Sequence, residues 1–284
     1  MMRALYTAAS GMIAQQTNVD VISNNLANVN STGYKASTAE FKSLLYQTLQ
    51  SRSTSANGDD KPIPAQVGTG ARTAAITTHF SQGSLIDSTS TFAFGLEGSG
   101  LFGLMNPDGE TVYTRNGDFT VGKTNDGGFM ICSSDGYPVV DSDGNPIQFS
   151  DEYDVSNLVI TSDGSFYYRV IEEQPDENGN MHKTERLDDL ETRMGVFQFT
   201  NPSGLDSIGS SLYKETEASG IAMEEGTYTE LKRTKVCQGR LEASNVQVAD
   251  EMVNLIVAQR AYEMNSKAIQ AADDMLGQAN QLKR

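Results

Sequence analysis

The 284-residue chain has no tryptophan, two cysteines, two histidines and no unbroken apolar run of about 18 residues. Without such a run, no helix is apolar for long enough to span a bilayer. Cys132 and Cys237 stand 105 positions apart, which suits neither a zinc site nor a disulfide framework, and they read as two incidental thiols. His79 and His182 lie in no nucleophile or H-E-x-x-H pattern, so histidine-based acid–base catalysis has no support. The first residues carry one basic side chain, Arg3, and Thr7, Ser10, Gln15 and Gln16 soon interrupt the apolar stretch. A cleaved Sec-type leader is therefore not expected, although a specialised exporter that reads uncleaved termini stays open.

Positive charge is also scarce: 21 basic against 37 acidic residues leave a net charge of −16. Residues 1–50 balance at +1 and residues 241–284 at −2, so the interior holds −15. An acidic middle repels phosphate backbones and anionic lipid, and neither nucleic acid binding nor membrane insertion is expected. Apolar residues make up 38% of the chain, enough at this length for a sizeable core under abundant polar surface.

What is present at the two ends is periodicity. Leu5, Met12, Val19 and Leu26 recur every seven residues, with Ala8, Gln15, Ile22 and Val29 three positions after each. Such spacing predicts a helix with a coiled-coil seam, ended by the Asn- and Gly-rich run from Asn28 to Gly33. Near the other end Val248, Leu255, Tyr262, Ile269 and Leu276 repeat the pattern, with Ala258, Ala272 and Ala279 as small residues that permit close approach. Ser244 followed by Gln247 resembles a capping box, and a helix starting there would run for roughly 35 residues, about 55 Å. One seam left in water exposes all of its apolar side chains, so the two need each other or neighbours. The alternative is that both helices cover a sheet in an ordinary domain.

Between the ends the signals become those of strands. Asp-Gly pairs at Asp108, Asp126, Asp135, Asp143 and Asp163, with Asn116-Gly117 and Asn178-Gly179, predict hairpin turns between short β-prone runs. Residues 51–72 offer few core anchors and hold Pro62 and Pro64, which reads as an extended connector; a polar return follows at 215–226. The expected fold is α+β: terminal helices paired as a coiled-coil-like layer, with an inserted all-β domain. The expected divisions are 1–33, the N-terminal helix of a discontinuous inner domain; 34–90, a connector; 91–213, an all-β outer domain; 214–240, a return connector; and 241–284, the C-terminal helix.

Two motifs imitate chemistry. Gly98, Gly100 and Gly103 match G-x-G-x-x-G, but Asn106, Pro107, Asp108 and Gly109 follow as a turn where a dinucleotide site needs a helix N-terminus. A glycine-rich strand before a hairpin fits better. Asp141, Asp143 and Glu152 sit at positions 1, 3 and 12 of a possible calcium loop, but Pro146 occupies position 6, which must turn with positive φ. A hairpin turn is expected there instead. Asp188, Asp189 and Glu191 read as a solvated face, and no catalytic, metal or cofactor-binding residue is assigned.

Two terminal motifs carry more than periodicity. SNNLANVNSTGYK at positions 23–35 resembles the N-terminal signature of bacterial flagellar rod and hook proteins. LEASNV at 241–246, Glu251, QRAYEMNSK at 259–267 and DML at 274–276 are similar to that family's closing motif. LLYQ at 44–47, QVGTGAR at 66–72 and SQGSL at 81–85 resemble the distal-rod branch, and YTRNGDF at 113–119 and SDGYP at 134–138 also fit, whereas FAFGLE at 92–97 departs from the expected polar strand. Residues 171–193 read as a local elaboration.

The resemblance implies a structural, non-enzymatic subunit of the basal-body distal rod, self-assembling into a tubular helical shaft that transmits torque. It implies no cofactor. The partners it implies are further copies of the chain as a homo-polymer, neighbouring rod and hook proteins, ring proteins around the rod where an outer membrane exists, and the flagellar export apparatus. The place it implies is the basal body outside the cytoplasmic membrane. The expected assembly interface comprises Leu5, Met12, Val19, Ile22 and Leu26 from the N-terminal seam, Asn24, Asn25, Asn28 and Gly33 from the N-terminal signature, and Val248, Leu255, Tyr262, Ile269 and Leu276 from the C-terminal helix. A proximal-rod or hook-type axial protein is the alternative within the family, and a secreted β-domain adhesin or binding module the alternative outside it.

Overall fold

The computed structural model describes residues 2–50, 65–124, 127–150, 153–154, 157–175, 181–228 and 231–281. Residues 51–64, which include Pro62 and Pro64 of the expected connector, and the Asn178-Gly179 turn lie outside the described residues. The described part is α+β, with one long helix near each end, α1 (Met2–Ala27) and α2 (Val248–Gln281), and antiparallel strands between. The chain divides into two compact units: Met1–Ala27, Ser37–His79 and Val246–Arg284 form the first, Asn28–Ala36 and Phe80–Asn245 the second.

In the first unit α1 and α2 pack on each other, and α1 also packs on a two-stranded ribbon, Ser37–Ser43 paired with Ala71–Thr78. A second ribbon, Tyr46–Gln50 with Ala65–Gly68, continues it. The turn from helix into ribbon is held by one side chain. Asn25, 1% exposed, donates from Nδ2 to the Ser37 carbonyl at 2.8 Å and accepts the Ser37 amide on Oδ1 at 3.0 Å, so a side-chain amide satisfies both backbone groups of the strand's first residue. α1 ends where the sequence predicts, at the Asn-rich run. The start of α2 differs. Its first turn opens with the Glu251 amide donating to the Gln247 carbonyl, which makes Gln247 and not Ser244 the cap. Ser244 is buried, and its neighbours are engaged elsewhere in the second unit: Ala243 N donates to Ser84 O, and Asn245 Oδ1 accepts Ala36 N. Asp250 and Glu251 supply the negative charge that favours a helix N-terminus.

The second unit is built on a six-stranded antiparallel sheet in the order Asp206–Gly209, Leu212–Lys214, Thr111–Thr114, Leu101–Met105, Val196–Gln198, Met223–Glu224. Its core gathers Phe94, Leu96, Phe102, Leu104, Phe119, Ile131, Val139, Phe166 and Met194, and Phe102 meets Phe119 edge-on at 5.2 Å. A second cluster holds Leu101, Tyr113, Val140, Phe197, Phe199 and Tyr213. Burial pushes the Tyr113 hydroxyl up to about 12, with Glu215 adding to it, and raises Tyr213 in the same way, with Tyr34 adding to it.

Asp108-Gly109, Asp135-Gly136, Asp143-Gly144 and Asp163-Gly164 all turn with a left-handed glycine. Asn116-Gly117 is not a hairpin. The strands on either side of it, Thr111–Thr114 and Phe119–Lys123, belong to different sheets, and Asn116 Oδ1 instead accepts the Asp118 amide in a local Asx turn.

Candidate assembly surface

Three contacts set how α1 and α2 meet. Asn25 Nδ2 donates to Glu251 Oε1 at 3.1 Å; Gln16 and Val19 share a cleft with Gln259, Tyr262 and Glu263; and Gly11 faces the Asn265 amide, which lies 2.9 Å from where a β-carbon would stand. Positions fall along one helix as they rise along the other, so the helices run antiparallel. By that register the last turns of α2 reach past the first turn of α1. Close approach at Gly11 is matched by Ala258 and Ala272, the two buried side chains of α2.

The named seam residues are not equally covered. On α1, Ile22 and Asn25 are buried, Leu5, Met12, Val19 and Leu26 are half-buried, and Asn24 is exposed. On α2, Leu255 and Ile269 are half-buried, while Val248, Tyr262 and Leu276 remain exposed. Asn28, half-buried, and Gly33, buried, belong to the second unit and pack there.

Beyond the seam lies an apolar surface that the seven-residue reading does not reach. Val253, Val257, Met264, Ala268, Ala271 and Met275 recur at spacings of three, four and seven and fall within one stripe of α2, on another side from the residues that meet α1. Val253 is 60% exposed and Met264 65%, and Ile256 extends the stripe. The signal was present in the sequence as a second, offset 3–4 pattern. A further open cleft in the same unit is lined by Arg3, Tyr6 and Ser10 of α1 with Leu44, Gln47 and Val67, and Leu45 beside it is 87% exposed. Bare apolar surface of this kind makes the unit the candidate for an interaction site.

The residues that imitate chemistry are used for structure. Gly98 and Gly100 frame a turn into the strand Leu101–Met105, and no helix follows. Asp141 Oδ1 accepts the amides of Asp143 and Asn145 at 2.9 and 2.8 Å, closing a turn. Asp189 Oδ1 accepts the Glu191 amide, and half-buried Asp188 pairs with exposed Arg186. Among the described residues, no group of three or more His, Cys, Asp or Glu converges as a metal site.

Comparison with known proteins agrees with the terminal motifs. Residues 5–35 match the family "Flagella basal body rod protein", residues 238–282 match "Flagellar basal body rod FlgEFG protein C-terminal", and residues 95–168 match "Flagellar hook protein FlgE/F/G D1 domain". The chain is 42% identical over its full length, and that of the relative, to the flagellar basal-body rod protein FlgG of Borreliella burgdorferi. It is 38% identical to FlgG of Caulobacter vibrioides over 99% of this chain and all of the relative, and 34% identical to FlgG of Bacillus subtilis over the whole of both. The flagellar hook-basal body complex protein FlhP of Bacillus subtilis is also similar from end to end, at 29%. Three family matches at the expected positions and full-length identity of this size place the chain in one family: it belongs to the FlgG-like flagellar basal-body rod proteins.

Proposed function

We propose that this protein is the structural subunit of the distal rod, assembling through its helical unit into a tubular helical shaft that transmits torque. The observation that carries the reading is the uncovered apolar surface of α1 and α2 in a chain otherwise able to build a full core. A unit that keeps Val253, Val257 and Met264 in water is incomplete alone, and contacts between unlike surfaces of successive copies do not close, so they generate a filament. In the filament the paired helices form a coiled-coil-like inner layer that includes Leu5, Met12, Val19, Leu26, Val248, Leu255, Tyr262, Ile269 and Leu276. The β domain, inserted between residues 91 and 213 with connectors on either side, faces outward.

The role is mechanical and not enzymatic. Partners are further copies of the chain, the adjoining rod and hook proteins, ring proteins where there is an outer membrane, and the flagellar export apparatus. The full-length likeness to FlhP keeps a second reading in view, that of another axial protein of the same family. An adhesin gains no support, because the family matches include both termini.

Sedimentation and electron microscopy of concentrated protein test the reading. The unaltered chain should form tubes; Leu255→Asp and Val19→Asp should stay monomeric while the thermal transition of the β unit hardly moves. Tubes from either variant, or collapse of that transition, would overturn it.

A further inference from the structure

The carboxylate of Glu242 has a fully buried side chain, and two cations reach it: Lys35, 1% exposed, donates from Nζ to Oε1 at 2.7 Å, and Arg115, 3% exposed, donates from Nε to Oε2. Oε1 also accepts the Gly83 amide at 2.7 Å, and the Glu242 carbonyl accepts the Gly33 amide at 2.8 Å. Lys35 Nζ donates onward to the Ser81 carbonyl at 2.8 Å. The Arg115 guanidinium spends its remaining donors on the carbonyls of Leu96, Gly98 and Gly100. Asn245 completes the set, accepting the Ala36 amide at 2.7 Å and donating to Ser81 Oγ at 2.9 Å. Gly33 is required here: its φ is +68°, and a β-carbon would stand 2.7 Å from the carbonyl carbon of Arg115.

Two cations and one anion in a dry interior are a poor way to gain stability, since apolar residues of equal volume commonly do as well or better. What the cluster has that an apolar plug lacks is direction. Charge-assisted hydrogen bonds fix the path of the segments they tie, and these are particular segments. The chain passes between its two units four times, at 27/28, 36/37, 79/80 and 245/246. Three of the four, at 36/37, 79/80 and 245/246, enter the second unit within two residues of a group bonded in this cluster: Ala36, Ser81 or Asn245.

We infer that Glu242, with Lys35 and Arg115, is a mechanical junction, clamping to the β unit three of the four chain passages through which tension on the helical unit is delivered. The inference rests on the torque-transmitting reading above. Tension on residue 37 pulls on Ala36 and Lys35, tension on residue 79 pulls on Ser81, and tension on residue 246 pulls on Asn245. Because all three strains meet one carboxylate, the bonds share the load and no segment peels off alone. Burial draws the Lys35 amine below its ordinary value while Glu242 opposes that, so the ion pair works against its surroundings, as expected of a group kept for geometry.

Amide hydrogen exchange on the full-length monomer tests the clamp directly. In Lys35→Met, which keeps a long apolar stem, exchange at Gly33, Ala36 and Gly83 should rise roughly ten- to hundredfold, the effect of losing a hydrogen bond to a charged group. Amides of the Leu101–Met105 and Thr111–Thr114 strands should keep their rates. Glu242→Gln should do the same more strongly, and if it does not fold, Lys35→Met alone decides. Cells carrying Lys35→Met should build rods and swim in dilute medium but stop at a lower viscosity than the parent strain. A uniform rise, no rise, or unchanged motility under load would overturn the junction. If the unaltered protein were absent from rods, the functional reading would fail by itself, with the exchange pattern still reporting on the clamp.

Discussion

The two units solve the problem of apolar surface in opposite ways. The β unit buries Phe94, Phe102, Phe119 and Phe166 completely or nearly so, in a core that closes within the one chain. Apart from Val246, the described residues of the helical unit bury only Ala8, Ala14, Val21, Ile22, Ala258 and Ala272 among their apolar side chains, and leave Tyr6, Ile13, Val253, Val257 and Met264 in water. One unit closes a core of its own, and the other leaves a broad apolar surface uncovered. The lesson is that a polymer subunit can keep its stability and its adhesiveness in separate places, so that either can change without the other.

The largest effect should come from cutting into the finished core. Phe102→Ala removes a ring packed against Phe119 and should cost about 3–5 kcal/mol, seen as a large drop in the β unit's melting temperature. Val257→Asp, on the exposed stripe of α2, should leave monomer stability within roughly 0.5 kcal/mol and still abolish polymerisation. Should Val257→Asp lower the melting temperature as Phe102→Ala does, the contrast between units would be false.

A smaller effect concerns pH. Tyr113 and Tyr213 have folded-state values raised above the ordinary 10, so above pH 10 the unfolded chain gives up protons that the folded chain retains, and stability falls as pH rises toward 12 and beyond. Denaturant titration between pH 9 and pH 12 should show this loss in the β unit. The double variant Tyr113→Phe and Tyr213→Phe should flatten it, and an unaltered slope would remove the tyrosines as its cause.

The smallest effect sharpens the comparison from the helical side. Arg260 and Glu263 form an exposed pair one turn apart, and Arg260→Ala should change monomer stability by no more than about 0.5 kcal/mol by circular dichroism. A larger change would mean that α2 depends on its own surface charges, and not on packing still to come.

How much of this was legible in the sequence follows the range of the interactions. Helix positions are local, and the seven-residue repeat located both helices, although on α2 it half-buries only Leu255 and Ile269 of its five residues. Asp-Gly turns are local as well, and the described ones formed. The capping box failed because the neighbours of Ser244, Ala243 and Asn245, are tied to Ser84 and Ala36, residues remote in sequence that no local pattern displays. Asn116-Gly117 failed for the same reason, since only the sheet pairing reveals that its two strands part company. Least legible was the Glu242 cluster. Lys35 lies 207 positions from Glu242 and Arg115 lies 127, and a lysine inside a signature gives no sign of being buried. On the candidate surface the residues named from the sevens do not include the outward stripe of α2, because a search for sevens passes over an offset pattern of threes and fours.

The claim at the centre is that the helical unit is completed by neighbouring copies while the β unit needs none. Amide hydrogen exchange by mass spectrometry, on monomer and on assembled tubes, measures this without any substitution. In the monomer, amides of α2 from Val248 to Gln281 should exchange far faster than those of the strand Leu101–Met105; on assembly the helix should become strongly protected while the strand stays as it was. If α2 is already as protected in the monomer as that strand, or if assembly protects the β unit instead, the account is wrong.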